Sequence, residues 1–393
     1  MSSYTFKMEV VTPLFLSGAD QTQAELRAPS IKGALRFWFR AMMGDSLLSL
    51  KAKEDDDPES RLFGSTSHRS AIAISVGNLF EPTNNLSDFS QEIGYLGYGP
   101  LAYDKTSKKF KRTRPCWAPT TEFTLMAQLP DDGILNRDFL GSLWLLCNFG
   151  GLGSRSRRGL GSIQVKSCDP PISTLPMNIT ARTPQELRNH LQKGLTTIFG
   201  NTPPSLRPLP TFSAFSKETR IYVYPEEFPT WQKALETIGR KMIDYRLRGP
   251  HPKRPTGTQN VGSDYLSVKG FLDSGNLVAP PSRAAFGLPH NYFFSSRKRN
   301  NQPPWEASFE GKDHDRRASP LMIHITKLSN GKFTLVITYL KAVFLPKDEK
   351  LRAIAGRKNA RDRKERSIDQ PSDKAITDFL SLLGVDKLEV KLP

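Results

Sequence analysis

The sequence is poor in the residues that metal, redox and secreted-protein chemistry require. Its 393 residues hold three cysteines, Cys116, Cys147 and Cys168, and no two form a Cys-x-x-Cys pair. That excludes the common zinc and dithiol motifs, and a sparse, odd count suits a reducing compartment. Cys147 lies in the apolar run LWLLCNF and reads as core. Six histidines, His68, His190, His251, His290, His314 and His324, are scattered, with no His-x-x-x-His or His-x-x-Cys spacing. The acidic run Asp55-Asp56-Asp57 lacks the spacing of a calcium loop and reads as solvated. Neither a metal nor a cofactor is expected. No apolar run reaches the ~18 residues that a membrane span needs. The N-terminus, MSSYTFKMEVVTPLFL, alternates like a strand and has neither the charged start nor the apolar centre of a signal peptide. A cytoplasmic protein is expected.

Acidic residues are also in deficit. Lys and Arg number 56 against 39 Asp and Glu, a net charge of +17 with a pI near 9.7. Such a field favours a polyanionic partner: RNA, DNA or an anionic membrane surface. Hydrophobic residues make up 37% and aromatics 10%, which supports folded cores and argues against wholesale disorder. The length suits two or three domains.

The first 168 residues read as β-α-β-β-α-β. Strands are predicted over 4–12, 71–79, 121–129 and 162–167. A helix is predicted from an N-cap at Ser30, with Ile31, Leu35, Trp38, Phe39 and Met42 on one face. A second, apolar helix covers 134–149. This order is the ferredoxin-like arrangement, with long insertions. Residues 169–210 are proline-rich at both ends, hold a helix near 184–198, and read as a connection. Residues 211–393 repeat the order: a strand at 219–224, a helix at 229–247, strands at 319–327 and 332–345 joined at Asn330-Gly331, a helix at 373–383 and a last strand at 385–392. The predicted class is α+β, with two ferredoxin-like, RRM-like domains. The insertion 248–318 is long for a structureless loop. The stretch 341–366, with ten Lys and Arg against four Asp and Glu, reads as exposed and mobile.

Four basic segments carry the candidate chemistry. In SIKGALRFWFRAMMG, Lys32, Arg36 and Arg40 recur every four residues and form a ridge beside the apolar stripe, just after Arg27. Glu25 is the only acid in 25–43, and no acidic i+4 partner answers the ridge. It reads as a phosphate contact or as a solvated face. In GGLGSRSRRGLGS (150–162), five glycines permit close backbone approach and an anion-binding nest. Arg155, Arg157 and Arg158 add planar forks suited to phosphate. No Gly-Lys-Ser/Thr follows, so this is not a nucleotide-enzyme phosphate loop. The block KTSKKFKRTR (105–114) has six basic and no acidic residues, and reads as a solvated loop or one lying on nucleic acid. In PSRAAFGLPHNYFF and RRASPLMIHI, Arg283, Arg316 and Arg317 border apolar segments. Phe286, Tyr292, Phe293 and Phe294 there suit core packing or base stacking. His324 alternates within a predicted strand and reads as structural.

The string LRAPSIKGALRFWFRAMMG with RLFGS (61–65), the glycine–arginine loop, RAAFGLPH and RRASPLMIHI together resemble the RAMP superfamily, and within it the first subunit of the Cmr (type III-B CRISPR) effector. The resemblance spans residues 25 to about 325. It implies a non-catalytic subunit that contacts the 3′ region of a guide RNA and the paired target RNA, with other Cmr-complex subunits as partners and no membrane. It makes Lys32, Arg36, Arg40 and the Arg155–Arg158 loop RNA contacts. Arg283, Arg316 and Arg317 become a second patch or a subunit contact. Two alternatives stay open from the residues: a metal-independent endoribonuclease with His68 or His290 as general base, and a mainly protein-bridging subunit.

Overall fold

The computed structural model describes residues 1–45, 57–77, 86, 88–200, 202–247, 262–294, 305–357, 360 and 363–393. In chain order the elements begin β1 (Ser2–Val10), α1 (Ala28–Met43), α2 (Pro58–Phe63), β2 (Ala73–Gly77), α3 (Gln91–Leu96), β3 (Leu101–Asp104), β4 (Lys109–Arg112) and β5 (Glu122–Leu129). There follow α4 (Gly133–Phe149), β6 (Ile163–Asp169), α5 (Pro184–Phe199), β7 (Arg220–Val223) and α6 (Trp231–Leu247). Last come α7 (Gly262–Ser274), β8 (His290–Phe294), β9 (Trp305–Gly311), β10 (Leu321–Lys327), β11 (Phe333–Tyr339), β12 (Leu351–Arg357), β13 (Lys364–Ile368) and α8 (Lys374–Leu383). The chain is α+β, and among the described residues these strands pair with one another antiparallel in four small sheets.

Space divides the chain differently from sequence. One compact unit gathers Met1–Gly239, Leu321–Ala342 and Val385–Pro393; the other gathers Arg240–Pro320 and Val343–Gly384. The expected boundaries at 168 and 210 both fall within the first of these units. The reason is burial: Ile221, Val223, Met322 and Val336 from the later strands share one apolar core with Phe6, Leu143 and Leu191 from the earlier elements. Burying apolar surface is the main favourable term in folding, so the later sheet goes where the shared core is.

In the first unit a four-stranded sheet has the order β2-β5-β1-β6, and a three-stranded sheet has β10-β11-β7. α1 starts at Ala28 rather than after a Ser30 cap. Pro29 fits inside the first turn, where a backbone N–H would go unpaired anyway. Its apolar face is the predicted one: Ile31, Leu35, Trp38, Phe39 and Met42 are buried. Asp132 caps α4, accepting from Ile134 N and Leu135 N. The expected last strand at 385–392 is replaced by a 3₁₀ turn at Asp386–Leu388. What remains of the pairing is Tyr222 opposite Glu389 and Val390 N donating to Ile221 O at 2.9 Å. The block 105–114 is no open loop. β3 and β4 pair as a hairpin from Leu101 opposite Arg112 to Asp104 opposite Lys109.

In the second unit a sheet of order β13-β12-β9-β8 packs its own core, with Phe271, Phe294, Phe309 and Leu351 fully buried. Two expectations change here. The insertion 248–318 carries α7, β8 and β9; residues 248–261 and 295–304 within it lie outside the described residues. The stretch 341–366, read as exposed and mobile, holds β12 and the start of β13. Leu351, Ala353 and Ala355 point inward and Arg352 outward, so the high basic content concealed a period-two strand.

Candidate nucleic-acid interface

The glycine loop between α4 and β6 is packed and pinned. Leu152 and Leu160 are buried. Leu152 N donates to Gly161 O at 2.9 Å, Ser154 N to Phe15 O at 2.9 Å, and Gly161 N to Pro13 O at 2.9 Å. Thr12 Oγ1 donates to Gly159 O at 2.7 Å. The amides of Leu152, Ser154 and Gly161 thus serve the protein itself. Glycine is required by close approach. A Cβ at Gly161, where φ is +66°, would lie 1.9 Å from Leu152 O; at Gly153, with φ +75°, it would lie 2.3 Å from Phe15 O.

β10 braces the loop from the other side. Ile323 N donates to Arg157 O at 3.1 Å, and Ile325 N to Ser162 Oγ at 3.0 Å. His324 Nδ1 lies 2.7 Å from Gly150 O. Burial pushes His324 down to about 4, so the ring is neutral near pH 7. A carbonyl only accepts, so Nδ1 carries the proton and donates. The structural role expected of His324 is therefore a specific one: it fixes the carbonyl where the loop leaves α4.

The three loop arginines project from this rigid base. Arg155 is an exposed residue in the left-handed region, with φ 61°. Such a conformation costs a non-glycine residue about 1 kcal/mol or more, and tends to occur at functional sites. Its Nε donates to Tyr98 O at 2.7 Å. Among the described residues no carboxylate pairs with it. Arg157 lies over the Phe37 ring at 5.0 Å. Arg158 Nη1 donates to Tyr95 O at 3.5 Å. Arg114, from the basic block, donates to Ser154 Oγ and so joins the same cluster. Tyr98, whose carbonyl holds Arg155, is 67% exposed. Neither Tyr98 nor Phe37 stood out in the sequence; the only hint was aromatic residues flanking glycines and arginines.

The α1 ridge is built differently. Lys32 Nζ donates to Ser70 Oγ at 2.8 Å, and burial lowers its pKa. Arg36 Nη1 meets Glu59 Oε1 at 3.3 Å, and its Nη2 donates to Phe63 O at 3.0 Å and to Gly64 O. Arg40 Nε reaches both Glu59 oxygens at 2.9 Å, which raises the pKa of Arg40. The Glu59 side chain is only 3% exposed. It sits at the start of α2, where Asp57 accepts from Glu59 N at 3.1 Å. No acidic i+4 partner lies within α1 itself, and the counter-charge to Arg36 and Arg40 comes from a separate helix. Arg27 precedes α1 and stands 3.7 Å from Glu25. Of the acidic run, Asp57 is a cap, and Asp55 and Asp56 lie outside the described residues.

Arg283, Arg316 and Arg317 lie in the other unit. Arg283 is 14% exposed, 3.6 Å from Asp264 and stacked over Tyr292 at 4.7 Å. Its guanidinium packs against the Asp264 carboxylate and the Tyr292 ring. Arg317 Nη2 donates to Val343 O at 3.0 Å, and burial lowers its pKa. Arg316 is exposed. Phe286, Tyr292 and Phe294 are core, which removes them as stacking candidates, while Phe293 is 61% exposed. Exposed His68 has its Nδ1 3.1 Å from Ser67 Oγ. The His290 ring meets Tyr292 edge-on at 5.0 Å. Among the described residues no group of three or more His, Cys, Asp or Glu is placed to hold a metal ion, and no helix is long and apolar enough to cross a membrane.

The segment from β1 into β6, with the glycine loop at its end, falls in a recognised class: the profile of the RAMP superfamily matches residues 7–164. In Pyrococcus furiosus (strain ATCC 43587 / DSM 3638 / JCM 8422 / Vc1), the CRISPR system Cmr subunit Cmr1-1 is 29% identical over 349 residues, covering 87% of this chain and 88% of the relative. Cmr subunit Cmr1-2 of the same organism is 30% identical over 181 residues, covering 41% of this chain and 94% of the relative. The apo crystal structure of Cmr1 from Pyrococcus furiosus shares the fold, with TM-score 0.54 at 20% identity over 88% of this chain and 90% of that one. This chain belongs to the Cmr1 family of the RAMP superfamily.

Proposed function

We propose that this chain is a non-catalytic, RNA-holding subunit of a cytoplasmic Cmr-type CRISPR complex. It grips the sugar–phosphate backbone of guide RNA near its 3′ region, together with the paired target, and leaves sequence reading to base pairing. Two ferredoxin-like units would frame it. The order β2-β5-β1-β6 fits the first, and β10-β11-β7 with the Glu389 segment beside β7 fits the second. Family membership supports the complex, and the net charge of +17 supports the polyanion.

The observation that carries the reading is Arg155, exposed on a pinned loop and bonded to a carbonyl oxygen rather than a carboxylate. Its positive charge is therefore not neutralised by its partner. Arg157 and Arg158 share its loop, Arg114 bonds to that loop at Ser154, and Arg316 is an exposed second candidate. Lys32, Arg36, Arg40 and Arg283 act first as structural residues in this proposal. The test is binding of labelled single-stranded RNA and a guide–target duplex by the full chain, with the RNA checked for cleavage on a gel. We expect intact RNA, and about 100-fold weaker binding by Arg155→Ala/Arg157→Ala/Arg158→Ala, as lost charge-assisted contacts predict. Unchanged binding by the triple variant would favour a protein-bridging subunit, and cleavage would favour a nuclease.

A further inference from the structure

The β3–β4 hairpin borders a half-open cavity of about 620 Å³ that the interface above does not use. Phe89, Phe110 and Tyr103 supply its aromatic walls, and Asp88, Lys108 and Lys109 its polar ones. The hairpin that shapes it is held in advance. Asp104 accepts from Thr106 N at 3.0 Å and Ser107 Oγ at 2.8 Å, and pairs with Lys111 at 2.6 Å. These partners hold the Asp104 carboxyl well below the usual carboxylate range. Lys108 takes a positive φ of 54° at the turn. The Phe110 backbone bonds Phe89 in both directions, at 2.9 and 3.3 Å. The Phe110 ring lies so close to Gly94 that a Cβ there would fall 2.2 Å from it. Tyr103 stays 54% exposed while meeting Phe110 edge-on at 5.4 Å.

The cavity has the size of a small-ligand site. It combines one exposed aromatic ring, Tyr103, with the ammonium groups of Lys108 and Lys109, the pairing by which proteins hold unstacked nucleotides. Its one lining carboxylate, Asp88, is tied to Lys109 at 2.8 Å, so an anionic strand meets little repulsion. An acceptor oxygen also remains there for a base N–H. We infer that this cavity takes a single unpaired nucleobase of an RNA strand, stacked on Tyr103 with the neighbouring phosphate near Lys108. The inference rests on the RNA-holding reading and adds to it a separate subsite for unpaired RNA.

The test uses the full chain and fluorescence anisotropy with one labelled single-stranded RNA and its fully paired duplex. Tyr103→Ala should weaken single-strand binding about 10-fold, the size of one lost base stack. Duplex binding should stay within about 2-fold, and Tyr103→Phe, which keeps the ring, should match wild type. The salt dependence should not change, because no phosphate contact is removed. Wild-type-like single-strand binding by Tyr103→Ala would overturn the subsite alone and point to a protein contact. Equal losses on both RNAs would also overturn it. Failure of the wild-type chain to bind either RNA would overturn the RNA-holding reading and the subsite with it.

Discussion

The α1 ridge and the glycine loop are near equals in sequence, each gathering three basic side chains within nine residues. They differ in what answers the charge. Arg36 and Arg40 share a carboxylate that is 3% exposed. Arg155 is answered by a backbone carbonyl. The first arrangement ties α1 to α2. The second leaves positive charge at the surface, on a loop that cannot drift because the segment after β1 and strand β10 both bond to it. Basic density alone therefore does not locate a phosphate site; the partner of each guanidinium does.

That contrast can be broken from either side. The largest expected effect is the affinity loss of the loop triple alanine, about 100-fold or nearly 3 kcal/mol. In the same assay Arg36→Ala/Arg40→Ala should stay within about 3-fold. Its cost should appear in stability instead. Denaturant unfolding should show a loss of about 2 kcal/mol, below that of a fully buried pair because Arg40 is half exposed.

The third effect concerns the brace. His324 has a folded-state value near 4, below its ordinary value near 6.5. The unfolded chain therefore takes up the proton first as pH falls. The stabilisation from a neutral His324 is complete above about pH 6.5 and is lost as pH drops toward 4. Between pH 7 and pH 5 the loss should be about 2 kcal/mol. Unfolding midpoints of wild type and His324→Gln at the two pH values would check it, since only the wild type carries this contribution. A smaller effect should follow from Glu59→Gln. Releasing Arg36 and Arg40 should raise RNA affinity by about 3-fold or more while lowering stability. Arg27→Ala, which removes only an exposed pair with Glu25, should change stability by less than about 0.5 kcal/mol.

Local pattern made much of this legible in the sequence. The inward face of α1, the apolar α4, the β10–β11 hairpin and the glycine loop follow from period, composition and turn residues, each within a few positions. What stayed hidden was long-range. Nothing local to α1 announces Glu59, which reaches Arg40 across 19 residues of sequence. Nothing in GYLGYGP states that the Tyr98 carbonyl will hold Arg155 across 57 residues. β12 was masked because its basic residues suggested a solvated tail while Leu351, Ala353 and Ala355 turned inward. The fourth strand at 385–392 failed for the opposite reason: its alternation is real, but its backbone pairing with β7 is confined to Glu389 and Val390 among the described residues.

The central claim is that the glycine loop, and not the α1 ridge, meets phosphate. The most direct measurement is the dependence of RNA affinity on salt for wild type, Arg155→Ala/Arg157→Ala/Arg158→Ala and Arg36→Ala/Arg40→Ala. Each lost phosphate contact on a single strand should reduce the logarithmic slope by about 0.7. The account predicts a drop of about 1.5 to 2 for the loop variant and almost none for the ridge variant. A drop confined to the ridge variant, or equal in both, would contradict it.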